Sequence, residues 1–169
     1  MSKAFTKEED ASDTQGLPRL QSPLKPGEKN FLTESGAKRL RHELHRLEEK
    51  RSPLVAVAQV DGDARRELQI LDQRRAYLEA SLRTAVVVAP DALADDCVRF
   101  GATVTVKDRT GKTTPYRLVG VDETDHELNW ISWQSPIARA LLKKRVGDRV
   151  VFKFPAGESE LEIVGIEYT

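Results

Sequence analysis

The sequence is poor in the residues that cross-link small proteins or hold soft metals. Cys97 is the only cysteine among 169 residues, which excludes an internal disulfide bond and a zinc site built on several thiolates. A lone cysteine is typical of the reducing cytoplasm, and we expect a cytoplasmic protein. The first ten residues contain no apolar segment, so we expect no signal peptide.

Long hydrophobic runs and net charge are also missing. The longest apolar run, Ala85–Ala89, is far too short to cross a bilayer, and we expect no association with a membrane. The chain has 27 basic and 27 acidic residues and therefore no net charge. This excludes a histone-like protein that binds polyanions through a large net positive charge. Aromatic residues make up only 6% and charged residues 32%, so we expect a modest core and a large surface.

Prolines and glycines mark residues 1–30 as a separate segment. Pro18, Pro23 and Pro26 follow a polar stretch. Such a composition buries too little apolar surface to offset the entropy lost on ordering. We therefore expect a disordered tail over residues 1–30, with a partner-binding arm as the alternative.

Leucines at heptad spacing predict two helices over residues 31–86. Thr33 is a candidate N-cap ahead of the first stripe, and the Asp-Gly-Asp sequence at 61–63 is a candidate turn between the two. Because neither narrow stripe has another partner, the pair predicts an antiparallel coiled-coil hairpin. Pro53 predicts a kink in the first helix, or alternatively a break that shortens it. The stripes consist of Leu40, Leu44, Leu47 and Leu54, and of Leu68, Leu71, Leu78 and Leu82.

Alternating apolar and polar residues predict a second module over residues 96–169. Ser135 followed by Pro136 is typical of a helix start, and the helix is expected to continue to Lys144. A twisted, mostly antiparallel sheet that packs on this one helix gives an α+β fold. Strands are expected over 98–106, 116–121, 130–133, 150–154 and 161–168.

The turn between the predicted helices carries the most distinctive chemistry. Asp61 and Asp63 flank Gly62, and Glu67 follows one helical turn later. Carboxylate oxygens bind hard cations such as Mg²⁺, so Asp61 and Asp63 are candidate metal ligands. The alternative is structural, because Asp and Gly are common turn residues and Asp63 suits a helix N-terminus.

Basic residues along the hairpin offer a candidate contact with nucleic acid. Arg65 and Arg66 are adjacent, as are Arg74 and Arg75, and such pairs suit a phosphate backbone. Nearby acidic residues largely balance them, so solvated helix flanks with i,i+4 ion pairs are the alternative. No aromatic residues are interleaved with these arginines, which disfavours sequence-specific reading of single strands.

Several recognisable segments follow one another along the chain. They read FGATV at 100–104, LVGVDE at 118–123, ISWQSPIARALL at 131–142 and VGD at 146–148. With the Thr33-x-x-Gly36 start of the first predicted helix, these segments resemble the GreA/GreB family of bacterial transcript-cleavage factors. The resemblance is closer to GreB and extends from about residue 30 to the end. It implies a coiled-coil hairpin followed by an FKBP-like domain.

The resemblance implies a role at bacterial RNA polymerase. The C-terminal domain would dock at the rim of the polymerase secondary channel, and the hairpin would enter the channel towards the nascent RNA. Two acidic tip residues would help hold a Mg²⁺ ion of the polymerase active site. The factor would be a monomer with no cofactor of its own and would not itself be an enzyme. The implied polymerase-binding residues are Gln134, Ser135, Pro136, Ile137 and Arg139. The adjacent charges of Arg65 and Arg66 make them the candidate nucleic-acid-facing residues.

The tip departs from the family pattern. The family reads G-D-x-x-E-N, whereas this chain reads GDARREL at 62–68. Asp63 matches, but Arg66 takes the place of the second acid and Glu67 comes one residue late, which is a rotation of roughly 100° on a helix. The hairpin is also about a dozen residues shorter, which removes about 9 Å of reach. Metal positioning tolerates about half an ångström, so we expect weak or no stimulation of transcript cleavage.

Three alternatives stay open at this point. The first is an active cleavage factor in which Asp61 and Asp63 replace the usual acidic pair. The second is a short-hairpin regulator of the nucleoside-diphosphate-kinase regulator type, which shares the fold but has a stubby coiled coil. The third is a peptidyl-prolyl isomerase, because the expected domain is FKBP-like, although fold alone does not establish function.

Overall fold

The computed structural model describes residues 20, 22–25, 27–89, 97–154 and 157–168. Most of the predicted tail over residues 1–30 lies outside these ranges. The described chain forms an α-helical hairpin followed by a mostly antiparallel sheet with one short helix, which confirms the predicted α+β fold. The elements are β1 (Asn30–Thr33), α1 (Glu34–Val57), α2 (Gly62–Thr84), β2 (Ala85–Val88), β3 (Ala102–Asp108), β4 (Thr113–Val119), a 3₁₀ turn (Val121–Glu123), β5 (Trp130–Ser132), α3 (Pro136–Leu141), β6 (Arg149–Phe154) and β7 (Gly157–Tyr168).

The leucine side chains of the hairpin are most completely buried at its base. Leu40 and Leu78 are fully buried there together with Leu32 and Ala37, and further leucines of the predicted stripes pack around them. Towards the tip, Leu54 and Leu68 are only half-buried. The heptad prediction is therefore confirmed, with most of the apolar stabilisation close to the C-terminal domain.

Helix α1 continues through Pro53 to Val57, so the predicted alternative of a helix break is wrong. Proline removes one backbone donor and leaves the carbonyl one turn earlier without its helical partner. Pro53 is exposed, and water can reach a carbonyl on that face. The cost of the proline is therefore limited, and the arm keeps its full length.

A short parallel sheet at the base of the hairpin was not predicted. Strand β1 pairs with β2 in parallel, from Asn30 opposite Ala85 to Thr33 opposite Val88. Because β1 leads directly into α1 and β2 leaves α2, this pair joins the two helices at the end opposite the tip.

The C-terminal domain is a five-stranded sheet in the order β5-β4-β3-β7-β6. All neighbours are antiparallel except β4 and β5. The predicted strand 98–106 begins later, at Ala102, because Gly101 adopts a φ of 86° that interrupts the extended chain. The predicted helix ends earlier, at Leu141, close to Lys143 with a positive φ of 67°. The buried core comprises Val98, Ala102, Val104, Val106, Leu118, Ala138, Leu141, Val150, Leu161 and Ile163.

Neither of the two long helices, nor any other helix in the described ranges, has the length and apolar character that a bilayer-spanning segment needs.

Candidate functional site

The tip of the hairpin is built on Asp61. This residue is the N-cap of α2, and its Oδ1 accepts hydrogen bonds from the backbone N–H of Asp63 at 2.8 Å and of Ala64 at 3.4 Å. Such a cap satisfies donors that the first turn of a helix leaves without partners. One of the two candidate metal ligands therefore has an oxygen committed to the fold of the turn.

Asp63 lies in the first turn of α2 and is exposed, as is Glu67. Its negative charge favours the positive end of the helix dipole. Within the described part of the chain, no group of three or more His, Cys, Asp or Glu side chains is placed to hold a metal ion. The binding of Mg²⁺ by Asp61 and Asp63 stays a prediction, in which a partner would supply the further ligands.

The two adjacent arginines after the turn have different roles. The Arg65 guanidinium donates to the carbonyl oxygens of Ala58 at 3.2 Å and Gln59 at 3.3 Å, so it caps the C-terminal end of α1. Arg66 is exposed and makes no ion pair among the described residues. Of the pair predicted to face nucleic acid, Arg66 is the residue whose charge is available.

Apolar side chains surround the turn, a feature the sequence analysis did not single out. Val55 and Val57 at the end of α1 are 40% and 46% exposed, and Val60 in the turn is 89% exposed. The tip of the hairpin therefore exposes apolar as well as acidic side chains.

Two ion pairs link α1 to α2 along the length of the hairpin. The Arg51 guanidinium lies 2.5 Å from the Asp72 carboxylate, and Arg74 lies 2.7 Å from Glu43. The hydrogen bond from Arg74 to Glu43 raises the pKa of the arginine. These two ion pairs link α1 to α2 and fix the register of the hairpin, and Arg74, offered by the sequence for contact with nucleic acid, is engaged in one of them.

The start of α3 carries the residues implied to bind polymerase. Ser135 is the N-cap, and its Oγ accepts from the backbone N–H of Ala138 at 3.2 Å. Ile137 packs against the domain core, whereas Pro136 and Arg139 are exposed. The outward surface of this helix start therefore consists of Pro136 and Arg139.

Gln134 is held by the segment that precedes β1. Its Nε2 donates to the Glu28 carboxylate at 2.9 Å, and the same oxygen accepts from the backbone N–H of Lys25 at 3.0 Å. The hydrogen bonds from Lys25 and Gln134 lower the pKa of Glu28. The N-terminal segment thus reaches the edge of the α3 surface.

The base of the hairpin meets the C-terminal domain at the 3₁₀ turn, where Asp122 and Glu123 contact both helices. Glu123 is fully buried and accepts hydrogen bonds from the backbone N–H groups of Thr33 and Gly120, both at 2.9 Å. Asp122 accepts from the Tyr77 and Ser81 hydroxyls of α2. The sequence analysis missed this site because two adjacent acids in a turn suggest a solvated surface.

Comparisons with known proteins identify relatives for both parts of the chain. Residues 93–168 match the family described as "Transcription elongation factor, GreA/GreB, C-term". The chain is 39% identical over 154 residues to transcription elongation factor GreB of Neisseria meningitidis, with 83% of this chain and 94% of the relative covered. It is 40% identical over 152 residues to transcription elongation factor GreA of Halorhodospira halophila, with 81% and 96% covered.

Among solved structures, the chain is similar to GreA factor homolog 1 (Gfh1) of Thermus thermophilus. The two are 26% identical with a TM-score of 0.40, and 83% of this chain and 99% of the other are covered.

Proposed function

This chain belongs to the GreA/GreB family of transcription elongation factors, and we propose that it acts by inserting the α1–α2 hairpin into the secondary channel of bacterial RNA polymerase. It is an RNA polymerase-binding elongation factor by this membership. The observation that carries the proposal is the extent of the similarity. The matched 83% of the chain is more than the C-terminal domain contains, so the hairpin is matched as well.

The factor itself supplies no active site in this proposal, since any RNA cleavage would be carried out by the polymerase. The state of the tip argues for weak or no stimulation of that cleavage. Asp61 uses one oxygen to cap α2, and Arg66 occupies the place of the second acid in the family pattern. An arginine near a metal-binding carboxylate repels a divalent cation. A single free carboxylate, Asp63, is a poor substitute for a pair held at a fixed separation.

Docking is proposed at the start of α3, at the rim of the channel. Pro136 and Arg139 are exposed there. Ser135 caps the helix, and Ile137 packs against the domain core. Gln134 borders the same surface through its bond to Glu28. We propose that Arg139 supplies the charged contact, because arginine is favoured where an interface needs a charged anchor.

Contact with the nascent RNA is proposed for Arg66 rather than Arg65. The Arg65 guanidinium already donates to two carbonyl oxygens of the turn, whereas Arg66 is exposed close to the tip. A single exposed arginine gives a weak, sequence-independent attraction to phosphate that decreases with salt.

The length of the hairpin bears on the regulator alternative. Helices α1 and α2 contain 24 and 23 residues. At 1.5 Å per residue, an arm of 24 residues is about 36 Å long. We propose that an arm of this length serves insertion into the channel rather than the role of a short-hairpin regulator.

Binding to cognate RNA polymerase core tests the proposal directly. The full chain should bind the core with a 1:1 stoichiometry, and Arg139→Glu should weaken binding by at least about tenfold. Lys153→Glu reverses another exposed charge, on the edge strand β6, and serves as the matched control, with a change below about threefold. No binding by the wild-type chain would refute the proposal, and equal losses for both variants would refute the docking surface.

A further inference from the structure

The 3₁₀ turn Val121–Glu123 places two neighbouring carboxylates against two different helices of the hairpin. We propose that Asp122 and Glu123 are positioning residues that fix the direction in which the hairpin projects from the C-terminal domain. This positioning role is supported by the hydrogen bonds that Asp122 and Glu123 make with the hairpin. Its consequence for transcription rests on the proposed function, because only a channel-inserted hairpin would need a fixed direction.

Glu123 holds the start of α1. Its carboxylate accepts from the Thr33 backbone N–H at 2.9 Å and from the Thr33 hydroxyl, and Thr33 Oγ1 in turn accepts from the Gly36 N–H at 2.9 Å. The N-cap of α1 is therefore itself capped by a residue from the other domain. A Cβ at Gly36 would overlap the Glu123 carboxylate, so the sequence leaves this helix position without a side chain.

Asp122 holds the end of α2. One carboxylate oxygen accepts from the Tyr77 hydroxyl and the other from the Ser81 hydroxyl. Tyr77 and Ser81 are four residues apart and thus lie on the same face of the helix. Asn30 extends the arrangement, because its Nδ2 donates to the Ser81 carbonyl at 3.1 Å and to the Ser81 hydroxyl at 3.0 Å.

Arg39 adds a third point of attachment one turn further along α1. Its guanidinium donates to the Glu123 carbonyl oxygen at 2.9 Å and lies over the Trp130 ring at 4.7 Å from the centroid. Arg117 of β4 also lies over Trp130, at 5.0 Å. Attachments at three separate points restrict rotation of the hairpin about its base, which a single contact would not do.

These contacts join two apolar cores that share no residues. The hairpin base has its own buried cluster around Leu40 and Leu78, and the domain has a separate cluster around Val104 and Ile163. Loss of the Asp122 contacts should therefore leave both cores intact while loosening the angle between them. Because the arm is about 36 Å long, a tilt of about 10° at the base moves the tip by about 6 Å. Such a displacement is large compared with the tolerance of a site that acts by position.

Distance measurement by double electron–electron resonance tests this inference in the full chain. Spin labels at Val60→Cys and Val146→Cys, in a Cys97→Ser background, report the distance from the tip to the domain, and both positions are exposed. The parent should give one narrow distribution. Asp122→Ala should broaden it or shift its mean by about 5 Å or more. Asp108→Ala, which removes a turn carboxylate far from the hairpin, should leave it unchanged.

Helix content by circular dichroism accompanies each distance measurement, so that unfolding is recognised. If Asp122→Ala does not fold, the double variant Tyr77→Phe/Ser81→Ala removes the same two hydrogen bonds from the helix side, together with the bond from Asn30 to the Ser81 hydroxyl, and should also broaden the distribution. An unchanged, narrow distribution in whichever of these variants folds would overturn the inference.

A parallel measurement separates this inference from the proposed function. Asp122→Ala should bind polymerase core within about threefold of the parent, since the α3 surface is unaltered, but should lose most of the effect of the parent on elongation rate. A parent that does not bind polymerase would refute the proposed function and leave the distance result standing. An Asp122→Ala protein with the parent's effect on elongation would refute the positioning role.

Discussion

The base and the tip of the hairpin use carboxylates in opposite ways. At the base, Glu123 is fully buried and accepts from Thr33, the N-cap of α1, whereas Asp122 is partly buried and accepts from two hydroxyls of α2. At the tip, Asp61 and Asp63 are exposed, and Asp61 is occupied with closing a turn. The carboxylates at the base thus hold parts of the fold together, whereas those at the tip are exposed and one of them caps a helix.

The largest expected effect is at the base. Glu123→Ala leaves the Thr33 and Gly120 N–H groups buried without acceptors and creates a cavity, so the free energy of unfolding should decrease by about 3 kcal/mol. Urea denaturation followed by circular dichroism measures it. Glu123→Gln, which keeps the volume and one acceptor oxygen, should lose less. A decrease below about 1 kcal/mol for the alanine variant would contradict the role given to the buried acid.

The next effect concerns Tyr77, whose pKa is raised above its ordinary value of 10.0 by burial and by the hydrogen bond to Asp122. The raised pKa means that the folded state favours the protonated phenol. The protonated Tyr77 hydroxyl therefore stabilises the fold below pH 10, and this stabilisation is lost as the pH rises above that value. Tyr77→Phe should therefore be less stable than the parent near pH 8, by about 1 kcal/mol. The difference should shrink above pH 10.

Stability curves of the two proteins between pH 8 and strongly alkaline pH provide the measurement. The other tyrosines are present in both proteins, so their ionisation cancels in the difference. A difference that grows with pH would mean that the Tyr77 hydroxyl does not donate to Asp122.

An effect of about the same size as for Tyr77 is expected for the tip cap. Asp61→Ala should lower the free energy of unfolding by about 1 kcal/mol, because two N–H groups at the start of α2 lose their acceptor. Asp61→Asn keeps an acceptor oxygen and serves as the control, with most of the stability retained. Hydrogen exchange at Asp63 and Ala64 should accelerate in the alanine variant alone. Equal protection in both variants would exclude the capping role.

The smallest effect is expected at the exposed tip of the hairpin. Val60→Ser should change the free energy of unfolding by less than about 0.5 kcal/mol, because the side chain is 89% exposed and contributes little burial. Thermal denaturation against the parent gives the value. A larger loss would show that the tip has a packed core and would weaken the contrast with the base.

The sequence was sufficient for the features that depend on local signals. Heptad leucines predict the hairpin, and the serine-proline pair predicts the start of α3 at Pro136, since capping and periodicity are encoded within a few residues. Alternation predicts the sheet strands, although Gly101 delays the first of them.

Features that depend on distant partners were not predictable in the same way. Strands β1 and β2 have four residues each and pair across 55 positions, so neither carries enough local pattern to indicate the other. Glu123 contacts Thr33 across 90 positions, and nothing in its neighbourhood distinguishes it from a solvated turn residue. The Glu123 carboxylate fills the space that Gly36 leaves, and the Phe31 carbonyl oxygen lies closest to Gly120, but neither glycine indicates its distant neighbour in the sequence.

The candidate site was predicted in part. The tip residues were identified by their types, but the commitment of Asp61 and Arg65 to the turn follows from backbone geometry that spacing does not reveal. The roles of Gln134, Ser135, Pro136, Ile137 and Arg139 at polymerase and of Arg66 near RNA stay predictions.

The most direct test of the account uses a backtracked elongation complex of the cognate polymerase with RNA labelled at its 5′ end. Occupancy of the complex by the factor and shortening of the RNA are measured in the same sample. The account predicts saturable binding, with RNA shortening no more than a few-fold faster than without the factor. Rapid shortening that is abolished by Asp61→Asn together with Asp63→Asn would contradict it, because the tip would then be an active cleavage element.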